Sequence, residues 1–492
     1  MSFDGHAVSA RLPYQRRKLD PGTLSKLMRQ YGILIFIIIF SCPYLMPPVI
    51  EAQQSSFASP YKRFRFDENF IYLRDEARHS DFFDGIKYIP LKTEDKNWYM
   101  TLGGEIKLRY EYWKNPNWGE LKDEDFLLQR YMLHGDVHLG NRYRIFAQLR
   151  SAFKTGGDPP EPIDEDSLDL QQGFADFKLT PVRFADVIIR AGRQELLYGS
   201  TRLISVREGA NIRRAFDGIK IMVALQSWSI EGWITRPVAP EDGTFNDRAA
   251  SGRLFWGVYA VNRFAPETGL DLYYLGIRRE KAIYDQGQGN EERHTAGLRM
   301  WRVSGNWDFD LEFAYQFGSF GKGGMGAWMA ATNSGYTFRS VAFTPRLGMK
   351  FELASGDRDL QDDRLDTFNP LFHNPHLFND TDLVGLSNVI DVHPYFTILP
   401  AENVRLSFDW AFFWRESVHD AVYNNVMQVQ RSGRGSDSRY TGSAFSGFIK
   451  WQAGRHVSVY AAYTHFFPGT FIRQSGPDDA ADFFGTWIVY KF

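Results

Sequence analysis

The chain is nearly devoid of cysteine. Among its 492 residues there is one, Cys42, in an apolar segment near the N-terminus. A mature chain that starts beyond that segment has no disulfide, no thiol nucleophile and no cysteine-ligated metal. A charge excess is missing too: 57 Lys and Arg stand against 59 Asp and Glu, without the basic surplus that nucleic-acid binding requires. Long apolar runs are scarce. In "YGILIFIIIFSCPYLMPPVIEAQQ" the core, Ile33 to Phe40, is too short for a stable spanning helix, and Pro43, Pro47 and Pro48 follow it. Catalytic signatures are absent as well, with no G-x-S-x-G, no H-E-x-x-H and no phosphate-binding glycine loop, so no enzyme is expected.

The apolar core follows a basic stretch with Arg16, Arg17, Lys18, Lys26 and Arg29. Residues 1–52 therefore read as a secretory signal peptide cleaved after Ala52. The basic region is long enough to place the translation start at Met28 instead. An uncleaved anchor is the alternative. Lipidation at "IFSC" is disfavoured by the bulk of Phe40 beside the cleavage point. Residues 53–97, with "DENFIYLRDEARHSDFFDGIKYIPL", are charged and irregular and read as a periplasmic lead-in that packs near one end of the main body.

What is abundant is aromatic residues, 16 % of the chain, in a sequence whose mean hydropathy is −0.37. That combination fits strands in which only every second residue must be apolar. In "YMTLGGEIKLRYEYW", Met100, Leu102, Ile106, Leu108, Tyr110 and Tyr112 alternate with Glu105, Lys107, Arg109 and Glu111. The same alternation runs through "WDFDLEFAYQF" (307–317) and "NVRLSFDWAFFWR" (403–415). It recurs near 126–139, 168–179, 185–195, 215–236, 253–279, 294–303, 345–354 and 443–467. Such strands are longer than the five to six residues usual in soluble sheets. Aromatics sit at strand ends, as at Trp98, Tyr112, Trp113, Trp301 and Trp414, and tight links such as 304–306 alternate with long polar stretches at 356–387 and 417–439. The expected fold is all-β: one large antiparallel transmembrane β-barrel over 98–492, with short periplasmic turns and long outer loops. The chain ends "FFGTWIVYKF", an alternating strand finishing on Phe492, which resembles the last strand that bacterial outer-membrane barrels present to their assembly machinery. The expected location is the outer membrane, against lipid and lipopolysaccharide.

Four blocks in order resemble the alginate export family of outer-membrane proteins. These are "YLRDEARHSDFFDGIKYIPL" with "LGGEIKLRYE", "GRQELLYGSTRLIS…RRAFDGIKI" (192–221), "ELASGDRDLQDDRLDTFNPLF" (352–372) and "THFFPGTFI" (464–472). The resemblance implies about 18 strands and a lumen that conducts an anionic polysaccharide outward, aided by periplasmic export partners. Arg130 and Arg193 fall on arginines of that family, whereas Gln171, Tyr460 and Ala462 stand where it carries arginine.

In "RYRIFAQLRSAFK", Arg142, Arg144, Arg150 and Lys154 share one face. Inside a barrel that face is the lumen. Arg109, Arg130, Arg190 or Arg193, Arg299, Arg346, Lys350 and Arg405 extend the cationic lining, where permanently charged guanidinium forks suit carboxylates. Two roles are open for each: contact with a polyanion or small anionic solutes, or pairing with wall carboxylates. The candidate carboxylates are Glu105, Glu111, Asp136, Asp176, Glu195, Glu352 and Asp409. Asp357 and Asp359, in "SGDRDLQDDRLD", belong to a salt-bridged loop or pair with lumen arginines; the loop lacks EF-hand spacing for calcium. His373 and His376 lack a third zinc ligand, and no metal or cofactor is expected. Parity puts Arg193 with Val187, Ile189 and Ala191, so a bulge or break at Gly192 is needed to turn it inward. Beside the channel reading stand a general substrate porin and a surface-adhesion or structural barrel with a plugged lumen.

Overall fold

The computed structural model describes residues 59–179 and 185–492; the expected signal peptide and Cys42 lie outside them. Eighteen long strands form one antiparallel sheet. They are β1 (Trp98–Lys114), β2 (Glu124–Leu139), β3 (Tyr143–Gly156), β4 (Asp166–Lys178), β5 (Asp186–Gln194), β6 (Phe216–Ala224), β7 (Trp228–Ala239), β8 (Arg253–Ala265) and β9 (Thr268–Tyr284). The rest are β10 (Gly287–Ser304), β11 (Trp307–Phe320), β12 (Gly323–Thr337), β13 (Arg346–Ala354), β14 (Val389–Ala401), β15 (Val404–Trp414), β16 (Tyr440–Gln452), β17 (Val457–Pro468) and β18 (Ala481–Lys491). Each pairs with its neighbour in sequence, and β18 returns to β1 over Glu105–Lys491 to Lys114–Asp482, which closes the barrel. Closure leaves no edge, the condition for β-structure in lipid.

The seam ends in a close approach. Gly104 and Phe492 exchange both backbone hydrogen bonds, at 2.9 and 3.0 Å, and a Cβ on Gly104 would lie 2.6 Å from the Phe492 ring. Only glycine fits there.

The alternation read in the sequence is the alternation of the wall. Leu108, Tyr110, Leu133, Ile145, Phe313, Phe408, Trp410, Ile449 and Ile488 are exposed on the outer face, while Glu105, Lys107, Arg109, Arg130, Arg150, Glu312 and Glu352 are buried on the inner one. Two strands do not stand out in the sequence. β12 is rich in Gly, Ala and Ser, so its faces differ little in polarity, and β14 carries Pro394 within its run.

Links at the end of the barrel where the chain finishes are short, as at Gly305–Asn306 and Glu402–Asn403. At the other end three are long, 195–215, 355–388 and 415–439. They turn into the barrel. Leu203, Ile204, Phe368, Phe372, Phe378, Leu383 and Leu386 from the first two pack with the inward side chains Phe216, Phe255, Phe413 and Phe466. The backbones of the two loops also join, through Ser205 N–H to Phe372 carbonyl at 2.8 Å and Phe372 N–H to Leu203 carbonyl at 2.9 Å.

Candidate functional site

The inner wall is held by ion pairs, most of them between strands. Arg190 grips Asp176 with two hydrogen bonds, 2.7 and 2.8 Å, and Arg144 holds Asp136 in the same way. Arg109 pairs with Glu111, Arg299 with Asp271 and Asp310, and Arg346 with Asp308. Lys154 lies 3.7 and 3.8 Å from Asp164 and Glu124. Paired guanidinium and carboxylate forks of this kind are strong and directional.

The 195–215 loop carries charges of its own into the lumen. Arg130 is fully buried between Glu105 of the wall, at 2.7 Å, and Glu208 of the loop. Arg213 bridges Glu195 and Glu208, and Arg202 reaches across to Asp310, Glu312 and Glu352 at 3.0–3.1 Å. Lys107 donates to the Glu208 carbonyl and Arg109 to the Gly209 carbonyl, each at 2.9 Å. A Cβ on Gly209 would sit 1.5 Å from His376 Nε2, so the two inward loops meet at a residue with no side chain.

The segment 59–67 crosses the opposite mouth as a strap. Arg65 donates to the Gly104 carbonyl and to the backbone oxygen of Phe492, both at 2.8 Å, and so bridges the seam. Phe66 sits edge-on against Phe146 and Phe174, at 5.7 and 5.3 Å, with the Arg190 guanidinium over its ring. Ser59, Tyr61 and Arg63 face a cavity of about 960 Å³; Phe64, Phe66 and Asp67 face a second of about 540 Å³.

The larger cavity is lined by charges of both signs, with Glu402 and Asp409 among the carboxylates. Arg63, Lys350, Arg405 and Lys450 also line it, and among the described residues none of these four forms an ion pair with a carboxylate. Arg405 and Lys450 stand directly opposite one another on β15 and β16. Beside them, Phe448, Tyr460 and Trp487 are half-buried in the same wall.

Residues 98–486 match the family model for alginate export. The chain belongs to the alginate export family. Among curated proteins none matches it. Similar solved structures include OccAB3 of Acinetobacter baumannii, with 10 % identity over 80 % of this chain and 99 % of that one and a TM-score of 0.55. OccK3 (OpdO) of Pseudomonas aeruginosa has 12 % identity over 80 % and 95 %, with a TM-score of 0.54. OccK2 (OpdF) of the same organism, solved in complex with glucuronate, has 10 % identity over 80 % and 98 %, with a TM-score of 0.53. This member of the alginate export family is thus an outer-membrane β-barrel channel.

The cations named from the sequence occupy three kinds of place in it. Arg109, Arg130, Arg144, Arg150, Lys154, Arg190, Arg299 and Arg346 are inside and paired. Lys350 and Arg405 are inside and, among the described residues, form no ion pair with a carboxylate. Arg142 is not inside: it lies in the exposed turn between β2 and β3, one residue before the strand that would have aimed it. Of the carboxylates, Glu105, Glu111, Asp136, Asp176, Glu195 and Glu352 each pair with an arginine, while Asp409 lies 3.0 Å from His393. Asp357 and Asp359 do not meet lumen arginines. They lie in the 355–388 loop, where Asp359 is exposed and Asp357 accepts its N–H.

Arg193 needs a further correction. The register runs unbroken through Gly192 on both sides, so no bulge lies there, although Gly192 has φ +130°. The extra residue is across the way on β4, where Gln171 is skipped between the Leu149–Leu170 and Gln148–Gln172 pairs. Arg193 keeps the parity of Ala191. It pairs with Asp217 through two hydrogen bonds at 2.8 and 3.1 Å and with Asp169 at 3.3 Å, while Asp247 of the 240–252 loop accepts at its carbonyl. Gln171 turns inward to Arg150 and Glu195, both at 2.7 Å. The sequence reading missed Arg63, Arg202, Arg213, Glu208 and Lys450. The first four lie outside the strands, where alternation carries no signal. Lys450 was legible, since it shares a face with Ser446 and Phe448.

Proposed function

We propose that this channel passes anionic solutes, among them an anionic polysaccharide or its uronate units. The cations without carboxylate partners around the larger cavity attract the substrate, and the paired arginines hold the wall. The observation that carries this reading is the concentration of Arg63, Lys350, Arg405 and Lys450 on one cavity while the other inner arginines named above are compensated. Fixed charges inside a pore of low net compensation raise the local concentration of the opposite ion. The complex of OccK2 with glucuronate, a carboxylate, supports it. On the same reading the apolar band meets outer-membrane lipid and lipopolysaccharide, the β18 end addresses the barrel assembly machinery, and periplasmic export partners dock at the strapped mouth.

The test is the reversal potential of the purified protein in a planar bilayer under a KCl gradient. Anion selectivity is expected, and the double substitution Arg405→Gln, Lys450→Gln should move the potential toward zero. A cation-selective wild type would overturn the proposal. A second reading, a surface module with a plugged lumen, draws on the apolar core that the outer loops build inside the barrel. It predicts that removing 415–439 abolishes surface binding and leaves permeability unchanged.

A further inference from the structure

Most inner-wall carboxylates are held by arginine, whose charge is permanent. Glu105 has Arg130, Asp176 has Arg190, and Glu352 has Arg202. One cluster on β14 and β15 uses histidine instead. Asp391 lies 3.6 Å from His393 Nδ1, and Asp409 lies 3.0 Å from His393 Nε2. Among the described residues no arginine or lysine forms an ion pair with either carboxylate. Asp391 and His393 have no exposed surface, and neither Asp391 oxygen accepts a hydrogen bond from the described residues.

Asp391 and His393 share the inward parity of β14. Pro394, which has no N–H, interrupts the ladder beside them: pairing with β15 stops at Val392–Phe412 and resumes at Tyr395–Asp409. On β13, Lys350 is the direct partner of His393, and Glu352 is that of Asp391. Glu352 is taken by Arg202 of the first inward loop, and Tyr395, the next inward residue of β14, is covered by Arg346 and donates to Asn333. Lys350 is therefore the one cation beside the cluster that no carboxylate holds. The cluster opens to the larger cavity through Lys350 and Asp409, whose side chain is 21 % exposed. His376 and Asp380 of the 355–388 loop line the same cavity.

A carboxylate closed off from water is costly unless a charged partner sits beside it. Asp391 has such a partner only when both nitrogens of His393 carry protons. One imidazolium then bridges both carboxylates, and with Lys350 the two positive and two negative charges cancel. When the proton leaves, one negative charge remains, and Asp409 presents it to the cavity. Histidine is the side chain that makes this change between about pH 5 and 8. We infer that His393 is the residue that ties the ion selectivity of the channel to acidity: protonated, it leaves Lys350 to attract anions, and deprotonated, it unmasks Asp409 beside that lysine. The inference rests on the anion-channel reading above and adds its regulation. A water-filled lumen brings protons from the medium directly to the site.

The test is the reversal potential of the purified full-length protein in a planar bilayer under a KCl gradient, recorded at pH 5 and at pH 8. The ratio of chloride to potassium permeability should fall roughly twofold on going to pH 8, the scale of one unit charge several ångströms from the ion path in water. His393→Gln should lose most of that fall, whereas His376→Gln, at the other histidine beside a cavity carboxylate, should keep it. Asp409→Asn should hold the ratio at pH 8 near its value at pH 5. His393→Gln alone leaves Asp391 without a charged partner, so Asp391→Asn with His393→Gln is the second variant. It removes both charges together and should be equally insensitive to pH, with heat-modifiable gel mobility confirming a closed barrel. A wild type with one ratio at both pH values, or the same fall in wild type and double variant, would overturn the inference. Cation selectivity at both pH values with a fall that still depends on His393 would overturn the channel reading instead, so the two failures are distinguishable.

Discussion

Arg130 and Arg405 are both arginines on the inner face, and they have opposite physics. Arg130 has no exposed surface and is shared by Glu105 and Glu208, so removing it leaves the buried Glu105 carboxylate with only Lys491, at 3.7 Å, to offset its charge. Arg130→Ala should destabilise the protein by about 3 kcal/mol or more, read as a lower urea midpoint of unfolding. Arg405 is exposed to the cavity and forms no ion pair with a carboxylate among the described residues, so Arg405→Gln should stay within about 0.5 kcal/mol of wild type while the anion preference falls. Equal effects of the two changes on stability would contradict the division into wall and site residues. The sequence showed which way both arginines point, because parity is local. It did not show that one is neutralised and the other is not. The partner that decides Arg130 is Glu208, 78 residues away on a loop whose path no periodicity records. Arg193 failed for a related reason: the bulge that shifts its surroundings sits at Gln171 on the neighbouring strand.

Among the elements, the strands with strong polar contrast were legible and the loops were not. β11 and β15 alternate bulky apolar with charged or small residues and were placed to within three residues, while β12 and β14 were overlooked for want of contrast. The long loops were recognisable as polar stretches, but their inward fold depends on tertiary contacts. Two of them are latched at Asp420, which accepts from the Asp357 N–H at 2.8 Å, the Thr367 hydroxyl at 2.6 Å and the Tyr423 hydroxyl at 2.7 Å. Burial pushes the Asp357 carboxyl up to about 7, with Asp420 nearby adding to the effect, and burial pushes Asp420 up to about 6. Both loops lie outside the spanning strands. A carboxyl whose folded value is raised binds its proton more tightly in the fold. Its contribution is therefore full below about pH 4, where the unfolded group is also protonated, and is lost as pH rises through about 6 and 7. Hydrogen exchange of 355–388 and 415–439, corrected for intrinsic rates, should be slower at pH 5 than at pH 8. Asp357→Asn should flatten that difference; a wild type with equal protection at both values would refute the latch.

At the scale of the whole molecule, the lumen is narrowed from both ends, by loops at one and by the 59–67 strap at the other. Because the strap faces both cavities, excising Ser59–Asp67 should raise single-channel conductance while the barrel keeps its heat-modifiable mobility. Unchanged conductance would mean that the strap lies outside the current path. The barrel itself was legible from strand length, alternation and the final phenylalanine, since lipid outside and water inside impose a period of two on every spanning strand. The contents of the barrel were not, because nothing in a polar segment's own pattern says whether it points away from the membrane or back into the pore.

The bridge from Arg65 to the backbone oxygens of Gly104 and Phe492 has one more consequence, for timing. Gly104 belongs to β1 and Phe492 directly follows β18, so the two acceptors stand together only when β18 has closed on β1. The strap, which precedes β1 in the chain, has its full berth for Arg65 only across the closed β1–β18 seam. In an unclosed sheet the Arg65 bridge therefore lacks one of its two acceptors, and its formation reports that the ring of strands has closed.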